Sequence, residues 1–147
     1  NPTSLNIGVG GFSIKNQGPS DAIPELLYTF DAGTILAPGQ SFLLMSNLAT
    51  DTSAADATWA FKDIPDGQAG EVLIWIEDSG GTSQDMVSID NSAGGPFSQL
   101  PPSPYYFLRS WIRTHDGCQD SGAHLVDFEF HFVATDRNSA SPFKPCS

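Results

Sequence analysis

Basic residues are scarce in this sequence. Six Lys and Arg stand against 17 Asp and Glu, which gives a formal net charge of −11. A surface of that sign repels phosphate backbones and anionic lipid headgroups, so the composition predicts binding neither to nucleic acid nor to anionic membranes. The acidity by itself keeps a protein soluble, and this interpretation competes with a specific role in cation binding.

Cysteine is also rare. The chain has two, Cys118 and Cys146, with no C-x-x-C spacing and no cluster of histidines beside either, which argues against a zinc site. In a secreted protein the two would form a disulfide. It would close a loop of about 29 residues and contribute roughly 3.5 kcal/mol on the chain-entropy model. The alternative is two free, buried thiols.

Long hydrophobic runs are absent. No apolar stretch approaches the roughly 20 residues that a membrane-spanning helix needs, so the sequence predicts no membrane insertion. The sequence starts at Asn1 instead of Met, which fits the removal of a signal peptide, an excised fragment or an incomplete sequence. Together with the predicted disulfide, the first of these favours a secreted protein, extracellular or at the cell surface.

Recognisable catalytic motifs are missing as well. The sequence has no G-x-S-x-G elbow, no P-loop and no dinucleotide-binding fingerprint, and no two carboxylates are marked as an acid and a base. Three histidines could join the many Ser and Asp residues in a triad, but lone histidines on loops and strand faces are usually surface residues. We therefore predict that the chain is not an enzyme. The histidines are His115, His124 and His131.

Aromatic and turn-forming residues, in contrast, are plentiful. Hydrophobic residues make up 39% of the chain, with ten Phe, three Trp and three Tyr, which is typical of a globular protein. The 14 Gly and 11 Pro divide it into short apolar runs, a pattern that predicts one all-β domain over residues 1–147. The clearest alternation places Phe128, Phe130 and Phe132 on one face and Asp127, Glu129 and His131 on the other.

Eight segments are predicted as strands, within a total of about seven to nine. The run Val72–Ile76 is apolar on both pleat faces and predicts a central strand, joined through a hairpin connection at Asp78–Gly81 to the strand Met86–Ile89. Residues 134–147 are predicted to be an irregular tail tied by Cys146. The other predicted strands are Phe12–Ile14, Leu26–Phe30, Phe42–Met45, Trp59–Phe61, Tyr105–Ile112 and Asp127–Val133. The predicted core is Phe12, Ile14, Leu27, Leu43, Val72, Ile74, Ile76, Val87, Phe107, Phe128 and Phe130.

One stretch of sequence carries a family resemblance. GTILAPGQSFLLMSN, residues 33–47, has a Pro-Gly turn that leads into an apolar strand, and it resembles the central motif of lamin-tail domains. Four further stretches resemble the family in order and spacing over residues 1 to about 142, although Phe12 stands where the family usually has Trp. The resemblance implies an antiparallel, immunoglobulin-like β-sandwich. The stretches are NPTSLNIGVGGFSI, EVLIWIEDSGGTSQDMVSID, RSWIRT and DSGAHLVDFEF with the RNSASP that follows it.

The resemblance also suggests how copies of the chain assemble. Family domains normally begin with a further strand pair before the Asn-Pro, and here the sequence begins at Asn1. A sandwich without that pair exposes a strand edge, which another subunit can complete. The predicted donor is the N-terminal segment, through Leu5, Ile7, Val9, Phe12 and Ile14. The alternatives are donation by Phe128–Phe132, a monomer in which that strand fills the vacancy, or a sequence that omits the first strands.

Two functions follow as expectations. The first is a secreted structural protein, a homopolymeric subunit of an extracellular filament or surface layer that assembles by strand complementation. The second is a secreted adhesion or carbohydrate-binding module that contacts a cell surface or glycan. Exposed aromatic residues could stack on sugars, although in a sandwich most would be core or edge-covering residues. These aromatics are Trp59, Tyr105, Tyr106 and Trp111.

No bound cofactor is expected apart from Ca²⁺, which the second function could use. Carboxylates on turns suit this ion, and Asp63, Asp66 and Glu71 could converge at one end of a sandwich. Asp116 and Asp120 bracket the first cysteine. Neither group matches an EF-hand loop, so solvated turns are the default interpretation for both.

Overall fold

In the computed structural model, the regular secondary structure of the described residues is almost entirely β-strand. The antiparallel sheets are consistent with a β-sandwich, and two single-turn helices interrupt the strands. The structure describes residues 1–49, 51–59, 71–90, 110–118, 121, 124–131, 137–142 and 146. The strands are β1 (Ile7–Gly8), β2 (Ser13–Gln17), β3 (Glu25–Thr29), β4 (Ile35–Leu36), β5 (Leu44–Ser46), β6 (Ala57–Trp59), β7 (Glu71–Glu77), β8 (Ser83–Asp90), β9 (Ser110–Arg113) and β10 (Phe128–His131). The helices are α1 (Thr114–Gly117) and α2 (His124–Asp127).

The largest element is a four-stranded antiparallel sheet in the order β3-β2-β7-β8. Strand β7 lies inside it, which confirms the predicted central strand. The connection from β7 to β8 is the predicted hairpin, in which the amide of Asp78 donates to the carbonyl of Thr82 at 2.9 Å. The Asp78 carboxylate accepts the amides of Gly80 and Thr82, so the turn's polar groups are satisfied locally.

Three two-stranded ladders accompany this sheet. The pairs β1–β4 and β9–β10 are antiparallel, but β5 and β6 are parallel, which corrects the expectation of a wholly antiparallel fold. The reason is the path of the chain after β5. The amide of Asp56 donates to the carbonyl of Leu43 at 2.9 Å, so the chain returns to the start of β5 before β6 begins. Strand β6 then runs in the same direction as β5.

Turn chemistry places two of these elements. The predicted Pro-Gly turn is confirmed, because the amide of Gln40 donates to the carbonyl of Ala37 at 3.0 Å and Gly39 has a positive φ of 69°. At Gly10 the chain passes so close to the β3–β4 connection that an added Cβ would lie 2.6 Å from the amide nitrogen of Gly33. A side chain at position 10 would therefore displace that connection.

The cross-strand register assigns an inner and an outer face to the four-stranded sheet. The inner face carries Ile14, Asn16 and the alternate residues of β7 from Val72 to Ile76. Beside it, the ring of Phe30 contacts Phe42 at 4.9 Å and Tyr28 at 5.2 Å between centroids. The inner face is therefore the core side of the sheet.

The predicted core is confirmed in part, because most of its residues are half-buried and not fully buried. Val72 is buried, and so are Val9 and Phe30, which were not among the predicted core residues. The side chains of Phe107 and Phe130 lie outside the described part. The remaining predicted core residues are half-buried, namely Phe12, Ile14, Leu27, Leu43, Ile74, Ile76, Val87 and Phe128.

Asp127 departs from the predicted alternation. It was expected on a polar face with Glu129 and His131, but its side chain is only 1% exposed. Asp127 ends α2, one residue before β10 begins, and its carboxylate accepts the amide of Ser121 at 2.9 Å and the hydroxyl at 2.8 Å. Glu129 and His131 do lie together on the expected face, with 3.0 Å between Oε1 and Nε2.

An arginine joins the β9–β10 ladder to the main sheet. The guanidinium of Arg113 lies 4.8 Å above the ring of Phe128 in the neighbouring strand. It also forms an ion pair with Asp85 of β8 at 2.7 Å. One side chain therefore combines a cation–π contact with a link between two sheets.

The tail is attached at two places. Cys118 and Cys146 form the predicted disulfide, with Sγ atoms 2.02 Å apart and Cα atoms 5.4 Å apart. The second attachment was not predicted. The Asp56 carboxylate accepts the amide of Ser139 at 2.7 Å as well as its hydroxyl, while Asn138 Nδ2 donates to the carbonyl of Ala54 at 2.8 Å. Burial alone would raise the pKa of Asp56, but hydrogen bonds from Ser139 and Leu43 outweigh it and lower that pKa below its ordinary value.

Candidate assembly and binding surfaces

The predicted donor segment is paired within its own chain. Ile7 lies opposite Leu36 in the β1–β4 ladder, and Asn1 Nδ2 donates to the carbonyls of Leu5 and Leu36 at 2.8 and 2.7 Å. Val9 is buried and its amide donates to the carbonyl of Thr34 at 2.9 Å. Exchange of this segment between copies stays a prediction, and it would require these contacts to open.

The other two predicted donor residues lie deeper in the fold. Phe12 is half-buried just before β2, and its carbonyl accepts the amide of Phe30 at 2.9 Å. Ile14 is in β2, between β3 and β7. Of the five predicted donor residues, Leu5 is the one that is exposed.

The edges of the four-stranded sheet are a different kind of surface. Within the described residues, β3 pairs with β2 alone and β8 pairs with β7 alone. Apolar side chains lie at the β3 edge, where Leu26 is 52% exposed and Ile23, just before the strand, is 75% exposed. At the β8 edge the first four residues, Ser83 to Met86, are all exposed. Such edges can pair with another strand.

The outer face of the sheet carries a row of side chains from all four strands. The register sets Leu26 beside Lys15, Lys15 beside Trp75, and Trp75 beside Met86. We call these four residues the tryptophan row. Its two ends are open, since Leu26 and Met86 (46%) are both exposed. With strands about 4.8 Å apart, the row is about 14 Å long.

A second, polar row runs parallel to the first. It consists of Thr29, Ser13, Glu77 and Ser83, which are neighbours across the same four strands. We call it the hydroxyl row. It lies two residues from the tryptophan row along β2 and β7, about 7 Å away, and three residues along β3 and β8, where the register shifts.

Glu77 connects the two rows. Its carboxylate accepts the Lys15 ammonium at 2.5 Å through Oε2 and the Trp75 indole N–H at 2.8 Å through Oε1. These hydrogen bonds, that from Lys15 first, lower the pKa of Glu77 below its ordinary value. The arrangement neutralises the lysine and fixes the direction of the indole N–H along the strand.

The remaining predicted site residues do not come together in the described part. Asp63, Asp66 and Asp120 lie outside it, Glu71 begins β7, and Asp116 lies in α1. Among the residues that the structure describes, no group of three or more His, Cys, Asp or Glu side chains could hold a metal ion. The calcium candidates stay a prediction.

The predicted sugar-stacking aromatics are also dispersed. Tyr105 and Tyr106 lie outside the described residues. Trp59 is in β6, with its indole nitrogen buried and without a hydrogen-bond partner. Trp111 is in β9, opposite Phe130. The tryptophan that lies on the outer face is Trp75. It was predicted only as part of the central strand, because its neighbours in the sequence are apolar.

The three histidines are separated along the C-terminal elements. His115 is in α1, with a positive φ of 52°, and His124 begins α2. His131 lies beside Glu129. In the helices that the structure describes, none is long and apolar enough to cross a membrane.

Comparison with known proteins found no match. No protein-family model, curated protein or solved structure matches the chain. The resemblance to lamin-tail domains accordingly stays a prediction.

Proposed function

We propose that this chain is a secreted structural domain with the immunoglobulin-like architecture of lamin-tail domains, and that copies of it assemble edge to edge into an extracellular filament or layer. The observation that carries the proposal is the four-stranded sheet, which ends on two strands with no strand partner beyond them among the described residues. The disulfide between Cys118 and Cys146 suits an oxidising, extracellular environment.

The number of strands favours a repeating contact. Directions alternate across β3, β2, β7 and β8, so β3 and β8 run in opposite directions. A second copy in the same orientation therefore presents its β3 antiparallel to β8 of the first. Because donor and acceptor edges differ, the contact is head-to-tail and propagates into a filament unless it closes into a ring.

Edge addition is favoured over donation of the N-terminal segment. Donation would open the β1–β4 ladder and remove β2 from between two partners. Edge addition opens no ladder of the described part and instead uses the edges of β3 and β8, each of which is hydrogen-bonded to one strand there. It also covers Ile23 and Leu26, the exposed apolar side chains at the β3 edge.

Charge placed at the β3 edge tests the proposal. Natural proteins protect such edges with lysine, so Ile23→Lys with Leu26→Lys should abolish assembly without disturbing the core. The matched control is Leu48→Lys, at an exposed leucine between β5 and β6. In negative-stain electron microscopy and sedimentation, the wild type and the control should form polymers and the double variant should remain monomeric. A wild type that stays monomeric at high concentration, or a double variant that polymerises normally, would overturn the proposal.

A cross-link separates the two assembly routes. Ile7 and Leu36 are direct neighbours in the β1–β4 ladder, so Ile7→Cys with Leu36→Cys should lock the N-terminal segment onto its own chain. Peptide mass spectrometry without reduction verifies the bridge. Polymers that still form in the locked protein support edge addition. Polymers that appear only after reduction identify the N-terminal segment as the donor and contradict edge addition.

A further inference from the structure

We propose that the outer face of the four-stranded sheet binds a neutral, extended polysaccharide, with Trp75 as the stacking residue. The face combines two surfaces that a sugar chain requires. The tryptophan row offers apolar atoms to the C–H faces of pyranose rings, and the hydroxyl row offers hydrogen-bonding groups to their hydroxyls.

Trp75 is held ready for stacking. Its indole N–H is tied to Glu77, two residues along the same strand, which fixes the N–H edge of the ring along β7. Lys15 and Met86 flank the residue on the neighbouring strands. A ring held in this way loses little side-chain entropy when a ligand covers it.

The length and ends of the tryptophan row indicate a chain and not a single sugar. The row runs about 14 Å across the sheet and is open at both ends, where Leu26 and Met86 are exposed. On one side it is bordered by the hydroxyl row. On the other side lie Leu73 and Ser88, and Ser88 is buried, so that side of the face is covered.

The charges favour a neutral ligand. Lys15, the one cation of the two rows, is already paired with Glu77, and the whole chain carries a net charge of −11. Uronate or sulfate groups would therefore meet repulsion with no free cation in either row to offset it. The alternative occupant of this face is a second copy of the chain, which would bury the tryptophan row between two sheets.

Affinity electrophoresis on native gels tests the site. Hydroxyethyl cellulose and galactomannan serve as neutral probes, and polygalacturonate serves as the anionic one. The neutral polymers should retard the wild-type protein and the anionic one should not. Trp75→Ala should weaken the retardation at least tenfold, while Trp59→Phe, at a tryptophan of β6 outside the outer face, should leave it unchanged.

Trp75→Phe covers the case in which Trp75→Ala does not fold. Phenylalanine keeps an aromatic face but loses the N–H donated to Glu77, so retardation should weaken several-fold with the circular dichroism spectrum unchanged. Absence of retardation by both neutral polymers, or equal retardation of the wild type and both Trp75 variants, would overturn the proposal. So would a wild-type dimer that Trp75→Ala converts to monomer in sedimentation, since the occupant would then be a second copy.

The proposed sugar site and the proposed edge assembly can be disproved independently of each other. The gels are run at a protein concentration at which sedimentation shows monomer, and the tryptophan row belongs to one chain. Loss of polymers in the single variant Ile23→Lys, whose side chain lies outside both rows, leaves the sugar result standing, and loss of retardation leaves the polymers standing.

Discussion

The two faces of the four-stranded sheet differ in how completely their polar groups are hydrogen-bonded. On the buried inner face, Asn16 is 1% exposed and its Oδ1 has no hydrogen-bond partner. On the outer face, Lys15 and Glu77 satisfy each other, and Trp75 donates to the same carboxylate. The core side thus tolerates an unmet polar atom, while the accessible side has an ordered polar network.

The largest effect should come from the inner face. Phe30 is buried and touches the rings of Tyr28 and Phe42, so Phe30→Ala should lower the free energy of unfolding by about 3 to 5 kcal/mol. Leu26→Ala, on the outer face, should change it by less than about 0.5 kcal/mol. Urea denaturation measures both. Equal losses would mean that the outer face is as well packed as the core.

The next largest loss of stability is expected at Asp127, a buried polar residue with hydrogen-bond partners. The buried Asp127 carboxylate accepts the amide and hydroxyl of Ser121, so Asp127→Ala removes hydrogen bonds to a charged group and should cost about 2 to 3 kcal/mol. Glu129→Ala, two residues further and exposed, is the matched control and should cost little. Similar values for the two variants in thermal unfolding would refute the role assigned to Asp127.

Replacement of Asn16 should have the opposite effect and raise the free energy of unfolding. Asn16→Leu removes the unpartnered Oδ1 while it keeps the branching of the side chain, and it should stabilise the protein by about 1 to 2 kcal/mol. The control is Gln17→Leu, the next residue of β2, whose Nε2 donates to the carbonyl of Asp21 at 3.0 Å. That variant loses a hydrogen bond and should be destabilised. A destabilised Asn16→Leu would show that Oδ1 is hydrogen-bonded in solution.

The smallest effect belongs to the outer ion pair. Lys15→Met should destabilise the protein less than Phe30→Ala or Asp127→Ala, because a pair near solvent contributes little. Its pH dependence is diagnostic. The pKa of Glu77 in the folded protein is below its ordinary value of 4.5, so the stabilisation is complete above that pH and is lost as the pH falls through the folded pKa. The stability difference between the wild type and Lys15→Met should therefore vanish in acid, and a constant difference from pH 7 to pH 2 would contradict the assigned pair.

Features encoded by neighbouring residues could be predicted from the sequence. The Pro38–Gly39 turn, the Asp78–Gly81 hairpin and the central strand β7 each rest on local turn chemistry or on a short apolar run. The disulfide followed from there being two cysteines. These signals need no knowledge of which strands meet.

Features that depend on the pairing of distant strands could not be predicted. The parallel β5–β6 ladder depends on Asp56 reaching back to Leu43, and the buried Asp127 depends on Ser121. The tryptophan row draws one residue from each of four strands, so only their register brings it together. Only β7 gave a partial sequence signal for the outer face. In that strand Leu73, Trp75 and Glu77 alternate with Val72, Ile74 and Ile76, and the first set ends in the charged residue Glu77.

The disulfide has a mechanical consequence for a domain placed under tension. Its sulfur atoms join positions 28 residues apart, at the end of the β9–α1 segment and near the end of the sequence. A pulling force applied beyond Cys146 passes through the S–S bond to Cys118 and bypasses everything between them, including β10 and the Ser139–Asp56 contact. That length of chain, about 95 Å when fully extended, cannot be drawn out while the bond is intact. The covalent link sets an upper limit on how far residues 118–146 can stretch.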